Sequence, residues 1–214
     1  GGVAFVGSGR EVLADAYLAD WRIGPLVLCV YGLFSWLLGI WVRERDELRE
    51  TAERVERLRK AANTDTLTGI ANRRAAEHAL DVFATGQRRY AVIMIDIDHF
   101  KLINDQHGHD TGDRILQRIA EILRDRMRVQ DTVARWGGEE FLVIVESVTR
   151  DEAASIAESL RGLIERGTTE ILATTISIGV AHSNTGQGVD QILKRADEGL
   201  YAAKNSGRNK VVTV

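Results

Sequence analysis

Arg135-Trp-Gly-Gly-Glu-Glu-Phe-Leu-Val-Ile-Val145 is the stretch that decides the fold. Two glycines separate a β-prone run, Thr132 to Trp136, from an apolar one, Phe141 to Val145, the pattern of a β-hairpin closed by a Gly-Gly turn. The turn is expected to present Glu139 and Glu140 side by side on an exposed bend. Gly137 and Gly138 leave no side chain over that bend and tolerate positive φ, so backbone there can approach a bulky anion. Carboxylates beside such an opening suit a metal ion that carries phosphates. The plainer alternative is a solvated hairpin whose acids serve only solubility.

Upstream, Tyr90 to Ile95 is an apolar, β-branched run of the buried-strand type that ends in Asp96-Ile97-Asp98. Neighbouring strands lie about 5 Å apart, so Asp96 at a strand end can face Glu139 at the turn. The two carboxylates then share a divalent cation, Mg2+ (or Mn2+), with the Ile97 carbonyl as a further ligand. So sparse a protein shell leaves room for water and phosphate oxygens, which suits a nucleoside triphosphate better than a closed structural metal. An Asp at a strand end also serves as an Asx turn or a helix cap.

A short helical segment carrying Phe100, Lys101, Ile103 and Asn104 follows. Beyond the His107-Gly108-His109 turn, Asp110 or Thr111 is positioned to cap a helix with Ile115, Leu116, Ile119, Ile122 and Leu123 at helical spacing. Asp151 to Glu165 and Val189 to Ala203 read as helices, Thr174 to Val180 as a strand, Lys210 to Val214 as an edge strand, and Thr64 to Gly69 as a turn into a helix near Arg73. The order predicts an α+β fold, ferredoxin-like or polymerase-palm-like, with a central antiparallel sheet and helices on one face.

The N-terminal part differs in composition. Residues 23–42 carry no charge and are rich in Leu, Val, Ile and Trp, a length that matches the hydrocarbon core, with Trp21, Trp36 and Trp41 among the aromatics near it. A transmembrane helix is expected there; a helix buried in a soluble domain or against a partner is the alternative. Arg43, Arg45 and Arg49 follow it while Arg10 and Arg22 precede it, so the positive-inside bias puts the C-terminal side in the cytoplasm and the chain in the inner (cytoplasmic) membrane with a single pass. Residues 43–62 are densely charged, with Leu48, Val55 and Ala62 seven apart and Leu58 between, the pattern of a short paired stalk or of a solvated helix. Residues 1–22 show no period and are expected to end an extracytoplasmic region. A chain opening on Gly1 is expected to be a fragment, and the globular domain is expected to occupy residues 63–214. With 28 Lys and Arg against 31 Asp and Glu, the net charge of −3 gives no global field for nucleic acid. The lone Cys29 in its apolar run excludes an internal disulfide and is a poor metal ligand.

Four motifs stand in register: Asp65-Thr-Leu-Thr-Gly-Ile-Ala-Asn72-Arg73-Arg74, Asp96-Ile-Asp-His-Phe-Lys-Leu-Ile-Asn104-Asp-Gln-His-Gly-His-Asp-Thr-Gly-Asp113, Arg135-Trp-Gly-Gly-Glu-Glu-Phe141, and Arg195-Ala-Asp-Glu-Gly-Leu-Tyr-Ala-Ala-Lys204-Asn-Ser-Gly-Arg208-Asn209. In order and spacing they resemble the GGDEF family of diguanylate cyclases over residues 63–214. Glu140 stands for the Asp of the name-giving motif and keeps the carboxylate; His99 stands where many members have Phe. The resemblance implies condensation of two GTP molecules to cyclic di-GMP by Mg2+-dependent phosphoryl transfer across a homodimer. It implies that Asp96, Ile97 and Glu139 hold the metal and that Glu140 helps the ribose 3′-hydroxyl lose its proton. It further implies that Asn104 and Asp113 read guanine, and that Phe100, Lys101, Gly137, Gly138, Lys204 and Arg208 line the triphosphate. Without it, Lys204 and Arg208 read as cations complementing a helix C-terminus. Arg128-Val-Gln-Asp131 matches the family's RxxD site, where Arg128 and Asp131 bind cyclic di-GMP as inhibitor. A nucleotide-binding module without turnover, a dimerising membrane adaptor and a palm-like adenylyl cyclase are the competing classes; the retained acids disfavour the first and the pair Asn104 and Asp113 the last.

Overall fold

Eight consecutive buried residues make β2 (Tyr90–Ile97) the centre of a sheet. In this computed structural model, which describes residues 24–86, 89–183 and 188–214, β2 pairs antiparallel with β4 (Glu140–Glu146) on one side and β5 (Ile176–His182) on the other. The strand β3 (Thr132–Arg135) completes the hairpin with β4, and the edges β1 (Ala71–Asn72) and β6 (Val211–Thr213) join parallel to β3 and β5. Among the described residues the strand order is β1-β3-β4-β2-β5-β6, an α+β sheet with an antiparallel centre.

Helices cover both faces, not one. Ala91, Ile93, Ile95 and Ile97 pack against α3 (Phe100–His107), α4 (His109–Arg126) and α5 (Arg150–Gly167), through Phe100, Ile115, Ile119 and Leu160 among others. Tyr90, Val92 and Met94 point the other way, into a second core with Leu80 and Phe83 of α2 (Arg73–Thr85) and Ile192 and Leu200 of α6 (Val189–Asn205). The physical reason is legible in β2 itself, whose run Tyr-Ala-Val-Ile-Met-Ile has no polar face to leave in water. Each fully buried Leu or Ile in these cores contributes about 1.5–3 kcal/mol relative to exposure.

Three boundaries depart from expectation. Gly108, at φ +81°, ends α3 and starts α4, so the chain turns within one residue and neither Asp110 nor Thr111 is the cap; the Thr111 hydroxyl instead donates to the His107 carbonyl at 2.9 Å. β5 begins at Ile176 because Thr174 is held in the preceding loop, its N–H donating to the Thr168 hydroxyl at 3.3 Å. α5 begins at Arg150, capped by Thr149, which shares a reciprocal capping box with Glu152. One close approach also matters for the site: a Cβ at Gly179 of β5 would run into the Ala196 carbonyl and the Leu200 N–H, so α6 rests on β5 backbone to backbone.

The chain divides into two compact units, residues 1–59 and 60–214, the sheet belonging to the second. The described part of the first lies within α1, a helix that runs unbroken from Gly24 to Asn63, its last four residues counted with the second unit. It holds an 18-residue window of mean hydropathy 2.0 with nothing buried, and is long and apolar enough to cross a membrane by length and composition. Its later, charged turns expose Leu48, Val55 and Leu58 at 65, 63 and 63%, an apolar seam with nothing covering it in a single copy. Residues 1–22, with Arg10, Trp21 and Arg22, and Ile23 at the head of the apolar run lie outside the described residues.

Candidate active site

The antiparallel register sets Asp96 opposite Glu140, and the Ile97 N–H donates to the Glu139 carbonyl at 3.3 Å, so the end of β2 lies against the hairpin turn. Asp96 is 5% exposed, while Glu139 and Glu140 are half-buried rather than standing on an exposed bend, Glu140 being the first residue of β4. Neither Gly137 nor Gly138 adopts positive φ. What the turn uses at Gly137 is space, since a Cβ there would run into the Glu140 carboxylate; Gly138 faces open volume.

Burial pushes the Asp96 carboxyl above its ordinary range, although Lys204, whose Nζ lies 2.8 Å from Asp96 Oδ2, pulls it down, as does Arg208. Burial likewise pushes Glu139 up, reinforced by the negative charges of Asp96 and Glu140. Among the described residues no group of three or more His, Cys, Asp or Glu side chains is arranged as a metal cluster. Two acids whose ionisation burial penalises, Glu139 further by the charge of Asp96 and Asp96 by that of Asp98, with an ammonium already drawn to Asp96, nevertheless fit a divalent cation whose remaining ligands are carbonyl, water and phosphate oxygens. A pH dependence follows. Cation binding requires both carboxylates ionised, and their folded-state values are raised, so affinity weakens as pH falls while ordinary carboxylates are still charged. Calorimetric titration with Mg2+ and nucleotide at descending pH, in two buffers of different ionisation enthalpy, should show proton release growing towards acid; constant affinity with no proton release down to pH ~5 would contradict it.

The turn is held from behind by residues to which the sequence assigned no role. Arg135 donates through Nη2 and Nε to the Gly138 carbonyl at 2.6 and 3.2 Å and through Nη1 to Asp65 at 3.3 Å. Asp65 also accepts from the Thr68 N–H and hydroxyl at 2.9 and 2.6 Å. Burial draws the Asp65 carboxyl up, but Thr68 and Arg135 outweigh it and hold it below the usual range. Arg73, the first residue of α2, stacks over Trp136 at 4.5 Å from the ring centroid and adds a second tie to the hairpin. Asp65 and Arg135 head two of the four motifs, yet no local spacing announces a contact across 70 residues.

Asn104 holds an unpartnered buried acceptor. Its Oδ1 is buried without a hydrogen-bond partner, the only such side-chain atom among the described residues, and Gly112 is the residue that gives it room, since a Cβ there would strike that oxygen. An orphaned acceptor costs about 1–3 kcal/mol, which a donor on a ligand recovers. Asp113, next to Gly112 on α4, is exposed. Phe100 is buried in the core beneath, and Lys101 is exposed on the first turn of α3. Lys204 sits in the last turn of α6, and the exposed Arg208 follows Gly207 in the turn to β6. Asp98, given no part by sequence, is 4% exposed and accepts from Thr175, Ser177 and the Asn209 N–H.

Arg128 and Asp131 lie apart from this group, in the turn between α4 and β3. The Asp131 carboxylate accepts from the Arg128 N–H at 3.0 Å and the Glu146 N–H at 3.2 Å, which fixes the turn while leaving the Arg128 side chain exposed. Ile70, Arg124, Met127 and Val133 line a shallow pocket beside them.

Residues 62–210 match the family model described as diguanylate cyclase, GGDEF domain. The chain is similar to diguanylate cyclase DgcM of Escherichia coli (strain K12), 38% identical over 174 residues, which cover 78% of this chain and 42% of that protein. It is similar also to the response regulator PleD of Caulobacter vibrioides (strain NA1000 / CB15N), 43% identical over 162 residues, 71% of this chain and 36% of that one. The chain thus spans less than half the length of these two curated relatives. Among solved structures, the coiled coil and GGDEF domain of DgcB from Caulobacter crescentus, in complex with c-di-GMP, superposes with a TM-score of 0.74 at 31% identity, covering 83% of this chain and 99% of that one. The active GGEEF domain of a diguanylate cyclase from Vibrio cholerae gives a TM-score of 0.61 at 32% identity, covering 67% and 97%.

Proposed function

From the premise that the chain belongs to the GGDEF family of diguanylate cyclase domains, we propose that it condenses two GTP molecules into cyclic di-GMP with release of two pyrophosphates. The observation that carries this reading is the meeting of Asp96 with the Glu139-Glu140 hairpin beside Lys204. Asp96, Glu139 and the Ile97 carbonyl hold Mg2+ (or Mn2+), which when bound offsets charge on the phosphates and on the departing pyrophosphate. Lys204 exchanges Asp96 for phosphate oxygens, Arg208 reaches the terminal phosphates, and Phe100 and Lys101 line the triphosphate with backbone and charge. Gly137 and Gly138 let the turn approach it.

Asn104 Oδ1 and the Asp113 carboxylate accept from guanine N1 and N2, donors that adenine lacks at those positions. Glu140 takes the proton as the ribose 3′-oxygen forms its bond to the α-phosphorus of the facing GTP and the bond from that phosphorus to pyrophosphate breaks. One site holds one GTP, and the product has two equivalent phosphodiester links, so two copies face each other about a two-fold axis. We place residues 63–214 as the cyclase domain, 43–62 as a signalling stalk and 23–42 as a single span of the inner (cytoplasmic) membrane with the cyclase on the cytoplasmic side. Incubating the protein with GTP and Mg2+, and in parallel with ATP, tests the reading by the mass of the product. Cyclic di-GMP from GTP alone is expected; no cyclic dinucleotide, or equal use of ATP, refutes it.

Arg128 and Asp131 we assign to product inhibition, Asp131 by shaping the turn and Arg128 by gripping phosphate and guanine. Arg128→Ala should leave the initial rate nearly intact and weaken inhibition by added cyclic di-GMP about tenfold or more, the loss of a charge-assisted hydrogen bond. Progress curves that plateau at the same product level as the parent would count against it.

A further inference from the structure

The turn from α6 to β6 carries three consecutive residues in the left-handed region: Gly207 at φ +107°, Arg208 at φ +58° and Asn209 at φ +47°. Gly and Asn adopt that region readily, whereas an Arg does so only when its surroundings impose it. The surroundings here are specific. Asn209 donates its N–H to Asp98 Oδ2 at 3.0 Å; its side-chain Oδ1 accepts from Arg161 Nη1 at 2.7 Å and its Nδ2 donates to Glu165 at 2.9 Å. Asp98 is itself immobilised, since the Thr175 and Ser177 hydroxyls each donate to it at 2.7 Å and its N–H donates to the Thr175 carbonyl at 2.9 Å. At the other end of the same turn Lys204 is tied to Asp96 at 2.8 Å. Two acids two residues apart at the end of β2 therefore fasten both ends of the segment that carries Lys204 and Arg208.

We propose that Asp98 is a positioning residue for the reaction: by holding the Asn209 N–H it forces Arg208 into its left-handed conformation and registers that guanidinium against the end of β2, where the triphosphate is bound. This rests on the proposed function, in which Arg208 reaches the terminal phosphates. Asp98 does not touch the nucleotide. Three of the roughly four acceptor positions of its carboxylate are taken by the protein, two on Oδ2 and one on Oδ1, and the side chain is buried, so its effect on substrate runs through the turn.

The test uses the whole protein and two probes without the attacking hydroxyl, 3′-deoxyguanosine triphosphate and 3′-deoxyguanosine monophosphate, so that binding is read without turnover. The ratio of their affinities reports the terminal phosphates and cancels guanine recognition. The parent is expected to favour the triphosphate, and Arg208→Ala to narrow that preference about tenfold or more. Asp98→Ala should narrow it comparably with the monophosphate affinity held within about twofold, and the double variant should lose no more than either alone, because both changes remove one interaction. Asp98→Asn should restore the preference: the amide oxygen accepts from Asn209 and Thr175, and the Ser177 hydroxyl rotates to accept from the amide nitrogen. Additive losses, an unchanged ratio in Asp98→Ala, or equal weakening of both probes overturns the proposal. Should Asp98→Ala not fold, Thr175→Val combined with Ser177→Ala removes the two hydroxyls that immobilise the Asp98 carboxylate while leaving Arg208 and Asn209 in place; a narrowed preference supports the held turn and an unchanged one overturns it. A parent that shows no preference for the triphosphate refutes the phosphate role of Arg208 itself, and with it the reading on which this rests.

Discussion

Glu140→Ala is expected to reduce cyclic di-GMP synthesis by about 10²–10⁴, the usual contribution of a positioned general base, and Glu139→Ala by at least as much because it removes a proposed cation ligand. Neither change should unfold the protein. The Glu140 carboxylate folds over Gly137 and outside both hydrophobic cores, and the hairpin stays tied through Arg135 to Gly138 and Asp65. Glu139→Gln has a further expected effect on stability. Burial and neighbouring charges raise the folded-state value of this carboxyl above that of the unfolded chain, so ionised Glu139 costs stability at neutral pH and the cost vanishes as pH falls. The amide should therefore melt slightly higher than the parent at pH 7 in the absence of metal, and the difference should shrink towards acid. Turnover within a few-fold of the parent for either alanine variant, with a normal circular dichroism spectrum, would remove these acids from the reaction.

A shortened chain beginning at Lys60, the start of the second compact unit, is expected to show specific activity that rises steeply with enzyme concentration, whereas the longer chain in lipid should show little dependence. The difference at nanomolar enzyme should reach several orders of magnitude, because tethering two domains supplies local concentrations near millimolar (~10⁻³ M). The motivating feature is the seam of Leu48, Val55 and Leu58 on α1, which stays exposed in one copy and which a second copy would cover. Replacing Leu48 and Val55 with Asp should make the longer chain behave like the short one. Because so short a seam does not lock one register, an upstream signal can shift the balance between productive and unproductive pairings by rotating the helices. Equal nanomolar activity of both chains, or no effect of the double Asp change, would reduce α1 to a spacer.

The hairpin and β2 were legible because their signals are local: two glycines between β-prone runs, and an apolar run ending in acids. Their adjacency is also expected from sequence, although the register sets Asp96 opposite Glu140, one residue beyond the expected Glu139, because Glu140 already belongs to β4. Element order alone implies helices on one face, whereas the run of β2, which offers no polar face, requires the second layer that the structure shows. The helix boundary at Gly108 differs from the expected Asp110 or Thr111 cap because a glycine at positive φ turns the chain without any capping side chain. Asp65, Arg135 and Asp98 lay beyond sequence reasoning for a different reason. The contacts that join them across the fold span 70 and 111 positions, and only the folded sheet brings Asp65 to Arg135 or Asp98 to Asn209.

The pairing of β2 with β4 has a consequence for how such a protein changes over generations. A slip of one residue between these strands would send Leu142 and Ile144 into the core that holds Phe141 and Val143, and the reverse, so the cores admit a single alignment. The distance between Asp96 and the hairpin acids is therefore inherited as an all-or-none property, beyond gradual adjustment by drift at the surface. Chemistry and architecture are then separable in heredity. On the roles proposed for these acids, a lineage would lose the reaction in one step, by exchanging Glu139 or Glu140, while the hydrophobic layers kept the fold intact, and what would be left is a folded domain free to acquire a purely receptive role.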